Sequence, residues 1–135
     1  MKPLVLNLGI VLVLLCGVSC KDDTSNTIEQ VSVTEMQSII AMDDVQLVDV
    51  RHPSEIEEHG YIHNSQNIDF NSPTFKEDIK NLDKQRPVVL YCHSGTKSSK
   101  CAKELRAAGF VKVYDLQGGI SEWKHKGNPV KYLVN

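Results

Sequence analysis

Disulfide and metal frameworks have little to build on in this chain. Its 135 residues hold four cysteines, at positions 16, 20, 92 and 101. Two of these fall in or beside an N-terminal apolar segment, which leaves Cys92 and Cys101 as the thiols of the folded part. In an exported chain such a pair suggests a disulfide. Cys101, however, shares an apolar helical stripe with Ala102 and Leu105, and reads as a buried small residue rather than a resolving thiol. The five histidines are scattered. His59 and His63 alone have helical spacing, and Gly60-Tyr61 between them breaks such a helix, so no metal site and no cofactor are expected. Aromatic residues make up 6% of the chain. Few of them lie among the scattered basic residues, which disfavours a nucleic-acid partner. There is no internal repeat and no low-complexity tract.

Long apolar runs are also scarce, and the one that stands out is at the start. Residues 4–18 are almost wholly apolar, follow Lys2 and precede Ser19-Cys20. The run is too short and wrongly flanked for a spanning helix, and it matches a cleaved export signal over residues 1–19. Gly17-Val18-Ser19-Cys20 resembles a bacterial lipoprotein box, with Gly17 where leucine is usual; the resemblance implies lipidation at Cys20. Lys21-Asp22-Asp23 then resembles an export tag that sends some bacterial lipoproteins to the cell surface, or opens a plain polar linker. The expected organisation is a signal at 1–19, a polar tether at 20–28 and one domain at 29–135, lipid-anchored to a bacterial membrane on its periplasmic face or at the cell surface.

The formal net charge of −2 hides an uneven split. Residues 92–135 carry eight Lys/Arg against three acids, and residues 20–91 carry six against fourteen. The positive part contains Cys92, which suits an anionic substrate.

Helix and strand signals alternate along the domain. Ser32-Val33-Thr34-Glu35 is a capping box that opens a short helix to about Ala41, stopped near Asp43-Asp44. A buried strand follows at 46–50, and Pro53 suits the first turn of a helix to about His59. A short strand at 66–68, a helix from Ser72-Pro73 to about Asn81, and strands at 88–91 and 111–114 come next. Gly118-Gly119 turns the chain into a last helix that carries Trp123 and ends at Gly127. Strands separated by helices predict an α/β fold with a central parallel sheet of about five strands and helices on both faces.

The most informative stretch is 88–109. Val88-Val89-Leu90-Tyr91 is a β-favouring apolar run, and Cys92 ends it. His93-Ser94-Gly95-Thr96 is too polar and flexible to continue a strand. From Lys97 a helix begins, with Cys101, Ala102, Leu105 and Ala108 on one stripe and Gly109 as its stop. A cysteine on a tight strand-to-helix loop sits where backbone N–H groups converge and the helix N-terminus is electropositive. Such a loop favours a thiolate and cradles an anion bonded to the sulfur. A strand-end cysteine can also be a small hydrophobe. Gly95, the neighbours His93 and Lys97, and the position at a strand's C-terminal end favour a nucleophile.

These residues resemble a single rhodanese (sulfurtransferase) domain over residues 29–134. The first signature is carried by Leu47-Val48-Asp49-Val50-Arg51, then Glu55, Gly60-Tyr61-Ile62 and Asn67-Ile68. The loop signature is Cys92-His93-Ser94-Gly95-Thr96-Lys97-Ser98, and the closing one is Leu116-Gln117-Gly118-Gly119, Trp123, Gly127 and Pro129-Val130. Tyr61 stands where the family usually has His, Asn64 where it often has Gly, and His93 and Lys97 where Arg is common. Lysine keeps the charge and loses the planar fork that grips an oxyanion bidentately.

The resemblance implies sulfur transfer through a Cys92 persulfide. On this reading the backbone N–H groups of residues His93, Ser94, Gly95, Thr96, Lys97 and Ser98 stabilise the persulfide anion, and His93 and Lys97 steer the donor. Asp49 and Arg51 brace the loop, Asp49 by accepting loop or helix N–H groups and Arg51 by pairing with an acid such as Glu55. Trp123 anchors the last helix in the core. The implied partners are a small anionic sulfur donor (thiosulfate or a persulfide), a thiol or cyanide acceptor, and a protein persulfide, met by a monomer. Two other readings compete. Cysteine phosphatases place five residues between Cys and Arg, whereas here Ser98 holds that position and Lys97 comes one residue earlier; the shorter loop suits sulfur better than a phosphoryl group. A non-turnover persulfide carrier or redox-sensing binding module is the second, and the presence of Cys92 favours the enzyme over it.

Overall fold

The structure, a computed structural model, describes residues 28–42 and 44–134. The expected export signal, Cys20, nearly all of the tether and the Asp43 stop lie outside the described residues.

The chain runs β1 (Ile28–Val31), α1 (Val33–Ile40), β2 (Gln46–Asp49), α2 (Pro53–His59), β3 (Gln66–Asn67), α3 (Phe75–Asp78), β4 (Val88–Tyr91), α4 (Thr96–Ala107), β5 (Val113–Leu116) and α5 (Gly119–His125). A 3₁₀ turn, Ile79–Asn81, continues α3. The five strands form one sheet in the order β1-β5-β4-β2-β3, and every neighbouring pair is parallel. This is the parallel sheet with helices on both faces that the alternation predicts.

Local chemistry accounts for most boundaries. Ser32 and Glu35 form a reciprocal capping box at the start of α1. His52 caps α2, Glu55 closes that box, and Pro53 occupies the first turn, where its missing N–H costs no helical bond. All four residues of β4 are buried, as an uninterrupted apolar strand in a doubly covered sheet requires. Val88 and Leu90 pack with Cys101, Leu105 and Phe110 on the α4 face. Val89 and Tyr91 pack with Met36, Ile120 and Trp123 on the α1/α5 face. Trp123 is thus a core anchor, and its indole N–H donates to Pro129 O at 2.9 Å, tying the last segment down. Burial of each large apolar side chain contributes about 1.5–3 kcal/mol.

Three elements differ from the sequence reading: the helix expected from Ser72-Pro73 begins only at Phe75, after a turn, and β5 and β1 depart as follows. β5 starts at Val113, not Val111. Phe110 turns into the core instead, Val111 N–H donates to Lys84 O, and Arg106 binds the carbonyls of Phe110 and Val111. Those residues are committed to the loop, so the ladder opens at Val88–Val113. β1 was not anticipated. Its first residue, Ile28, pairs with Val113, so the sheet begins one residue before the expected domain start.

The strand order sets the place of the site. β4 is central, and β2 is its neighbour. From β2 the chain passes through α2 to β3 on one side; from β4 it passes through α4 to β5 on the other. The C-terminal ends of β2 and β4 therefore flank a point where connections diverge, the place where open α/β sheets leave a crevice.

Candidate active site

β4 delivers Cys92 to that crevice. The residue is 2% exposed. Gly95 N–H donates to its sulfur at 3.1 Å and Ser98 N–H at 3.4 Å. The thiol reaches Ser98 Oγ at 3.5 Å, and that hydroxyl donates to Gly95 O at 3.2 Å. Gly95 is the N-cap of α4 with φ 105°, a left-handed value that any side chain would strain. The loop therefore folds back so that the first turn of α4 faces the sulfur. Of the six expected backbone donors, Gly95 and Ser98 are the two that reach Cys92 Sγ. His93, Ser94 and Thr96 are exposed on the rim.

The loop is held from behind by α5. Ile120 N–H donates to Cys92 O at 2.9 Å, and Ser121 N–H to His93 O at 3.1 Å. Gly119 makes this approach possible: a Cβ there would stand 2.5 Å from both Cys92 O and His93 O.

Asp49 ends β2, Arg51 lies two residues beyond it, and both are fully buried. Asp49 Oδ1 accepts Arg51 N–H at 3.0 Å and Nε–H at 2.9 Å, while Oδ2 accepts Nη2–H at 2.6 Å. Nη2 also donates to Gly60 O at 2.7 Å, and the guanidinium lies 5.8 Å from the Tyr91 ring centroid. Burial pulls the Arg51 pKa down, but the bonded Asp49 carboxylate outweighs this and holds it above its ordinary value. The expected Arg51–Glu55 pair is therefore replaced by Arg51–Asp49. The reason is geometric: residues two apart at a strand end share a face. Glu55, on the first turn of α2, instead meets Lys97 Nζ at 3.0 Å and accepts His52 N–H at 3.2 Å. Burial tends to raise its carboxyl, yet Lys97 and His52 N–H together hold it below the ordinary value, so it is ionised at neutral pH. Lys97, expected to steer a donor, is thus already paired.

Beneath Cys92 lies a residue that sequence reasoning missed. Asp115 pairs in register with Leu90 and with Gln30, is 1% exposed, and lies on the α4 face of the sheet. Gln30 Nε2–H donates to its Oδ2 at 2.6 Å; Oδ1 is buried without a hydrogen-bond partner among the described residues. Burial raises its pKa, and Ser98 and Gln30 offset part of that rise. The signal was present: with Val113 inward, the alternation of a strand turns Asp115 inward too. Cys101 is 1% exposed, a free thiol like Cys92, and burial pushes its pKa up to about 12. That is an inert packing cysteine, as the helical stripe predicted. Among the described residues no group of three or more His, Cys, Asp or Glu could hold a metal ion, and no helix is long and apolar enough to cross a membrane.

Known proteins are similar to this chain in sequence and in fold. The sequence matches the family model of the Rhodanese-like domain over residues 32–126. The thiosulfate sulfurtransferase GlpE of Coxiella burnetii (strain RSA 493 / Nine Mile phase I) is 31% identical over 96 residues, 71% of this chain and 87% of the relative. The Bacillus subtilis protein YqhL is 36% identical over 81 residues, 60% of this chain and 62% of YqhL, so less than two thirds of that relative is matched. Among solved structures, a rhodanese-related protein from Thermoplasma volcanium superposes with a TM-score of 0.68 at 27% identity, covering 78% of this chain and 99% of that one.

Proposed function

The chain belongs to the Rhodanese-like domain family, and on that premise we propose that it is a sulfurtransferase whose nucleophile is Cys92. One observation carries this reading: a strand-end sulfur beneath two backbone N–H donors at the head of a helix. The Cys92 thiolate attacks the outer sulfur of thiosulfate or of a persulfide. A bond forms between Sγ and the transferred sulfur, the donor's S–S bond breaks, and its electron pair leaves with sulfite or a thiolate. The product is Cys92 persulfide, whose charge rests at the electropositive start of α4. A thiol or cyanide then removes the outer sulfur and regenerates Cys92. Asp49 and Arg51 hold the neighbouring strand end rigid, and α5 fixes the loop from behind. Donor and acceptor meet a monomer in separate half-reactions, and a protein-borne persulfide fits the same scheme. Steady-state rates with thiosulfate and cyanide are expected to give parallel double-reciprocal lines and to vanish in Cys92→Ser. Intersecting lines, or turnover retained without Cys92, contradict the mechanism.

The sequence before the domain supports export and anchoring. Lys2, the apolar run 4–18 and Ser19-Cys20 fit a signal removed before Cys20, which then carries lipid and leaves the domain on tether 20–28 at a bacterial membrane, on its periplasmic face or at the cell surface. Cys20→Ala is expected to move the protein from the membrane fraction to the soluble one. Continued membrane association of that variant argues against lipidation.

A further inference from the structure

Lys97 of the Cys92 loop and Arg51 just beyond the neighbouring strand are both engaged by carboxylates. Lys97 is the one lysine or arginine among positions 92–98. Its ammonium sits 3.0 Å from Glu55, and the two side chains are 36% and 30% exposed. Arg51 is buried and bonded to Asp49 and Gly60 O. The loop's own lysine is therefore committed to Glu55. Below Cys92 lies another carboxyl, Asp115.

We propose that Glu55 sets the donor class: by neutralising Lys97, it disfavours the thiosulfate dianion and leaves the site suited to sulfane sulfur carried as an alkyl persulfide, R–S–SH. This rests on the sulfurtransferase reading above and narrows it. The two half-reactions differ in charge. With R–S–SH, the Cys92 thiolate attacks the terminal sulfur, a Sγ–S bond forms, and the donor's S–S bond breaks with its electron pair leaving on R–S⁻. The terminal proton stays on the transferred sulfur, and the reacting atoms carry one negative charge throughout. With thiosulfate the same bonds form and break, sulfite leaves as a dianion, and three negative charges share the loop throughout. Two backbone N–H donors suit the first case. The second calls for a cation that Glu55 has already engaged.

Glu55→Gln isolates the effect. Glu55 closes the capping box of α2 by accepting His52 N–H, and glutamine keeps that acceptor while removing the charge. The measurement is the rate of Cys92 persulfide formation, read by intact mass, with sodium thiosulfate, cysteine persulfide or a persulfidated cysteine peptide as donor. Wild type is expected to react with either persulfide about tenfold or more faster than with thiosulfate at low salt. The faster of the two persulfides identifies a small-molecule or a protein-borne source, and both fit the proposal. Glu55→Gln should raise the thiosulfate rate about two- to fivefold, through a lower apparent KM, and move the persulfide rates less than about twofold. High salt should erase that gain, because an exposed charge is screened within a few ångström. Thiosulfate matching the persulfides in wild type, or a Glu55→Gln effect equal on all donors, overturns the proposal and leaves the sulfurtransferase reading intact. Failure of every donor to load wild-type Cys92 overturns both.

Discussion

Asp115 shows how a single side chain can work against the fold that surrounds it. Its carboxyl lies in the apolar layer between the sheet and α4, with one amide partner and one bare oxygen. Burial raises its folded pKa above the ordinary carboxylate value. The folded chain therefore holds this proton to higher pH than the unfolded chain. The group's contribution to stability falls as pH rises from the unfolded pKa through the folded one. Asp115→Asn keeps an acceptor for Gln30 and removes the buried charge. It is expected to stabilise the protein at pH 7 by on the order of 1 kcal/mol, with the gain vanishing towards about pH 3, where the carboxyl is largely neutral in both states. Urea denaturation at the two pH values checks this, and a gain that persists or grows in acid contradicts it. Residues of this kind mark the limit of what the sequence disclosed. The strand-to-helix loop that carries Cys92 was legible, because the apolar run before it and Gly95 within it mark the bend without knowledge of the packing. Cys101 was legible from its helical stripe. The partners of Arg51 and Lys97 were not, because two acids, Asp49 and Glu55, lay within reach and only the direction of each side chain chooses between them. In the structure Asp49 takes Arg51 and Glu55 takes Lys97.

At the scale of elements, the Cys92 loop depends on a helix that supports it through backbone N–H groups. α5 starts against the loop, and its Ile120 and Ser121 N–H groups bind the carbonyls of Cys92 and His93. Gly119 has φ 60° and no room for a Cβ. Gly119→Ala must both strain that backbone and displace the loop's carbonyls. The expected cost is about 2–3 kcal/mol of stability together with a tenfold or greater loss of sulfur transfer under conditions where the variant stays folded. Circular dichroism and turnover on one preparation test this, and full activity in a folded Gly119→Ala would show that the contact does not position Cys92. The sequence disclosed Gly118-Gly119 as a turn into a helix; the support it gives to a loop some 25 residues earlier is a non-local contact that local pattern does not carry. The same reasoning explains β1. Ile-Glu-Gln-Val is a four-residue, half-polar edge strand, and only its pairing with β5 distinguishes it from linker. The late start of β5 has a similar origin, since Phe110 and Val111 fit a strand by composition and are claimed by the core and by Arg106.

For the whole molecule, alternation of strands and helices was enough to predict a parallel sheet covered on both faces, because parallel strands require crossovers. Strand order was not legible, and strand order is what places the site. With β2 and β4 adjacent and their connections leaving in opposite directions, the Asp49–Arg51 pair and the Cys92 loop lie at neighbouring strand ends. Charge follows the same pattern: the basic excess of residues 92–135 was visible in the sequence, while the pairing of Lys97 needed Glu55 brought across from α2. Whether Cys92 carries sulfur as a persulfide is read by intact-mass spectrometry of the reduced protein after exposure to a sulfane-sulfur donor, beside Cys92→Ser. Wild type should show a sulfur-sized mass gain, discharged by cyanide or a thiol and absent from the variant. A wild-type protein that gains no mass from thiosulfate or persulfide while its Cys92 is reduced and alkylatable, or a gain that persists in Cys92→Ser, contradicts the persulfide reading.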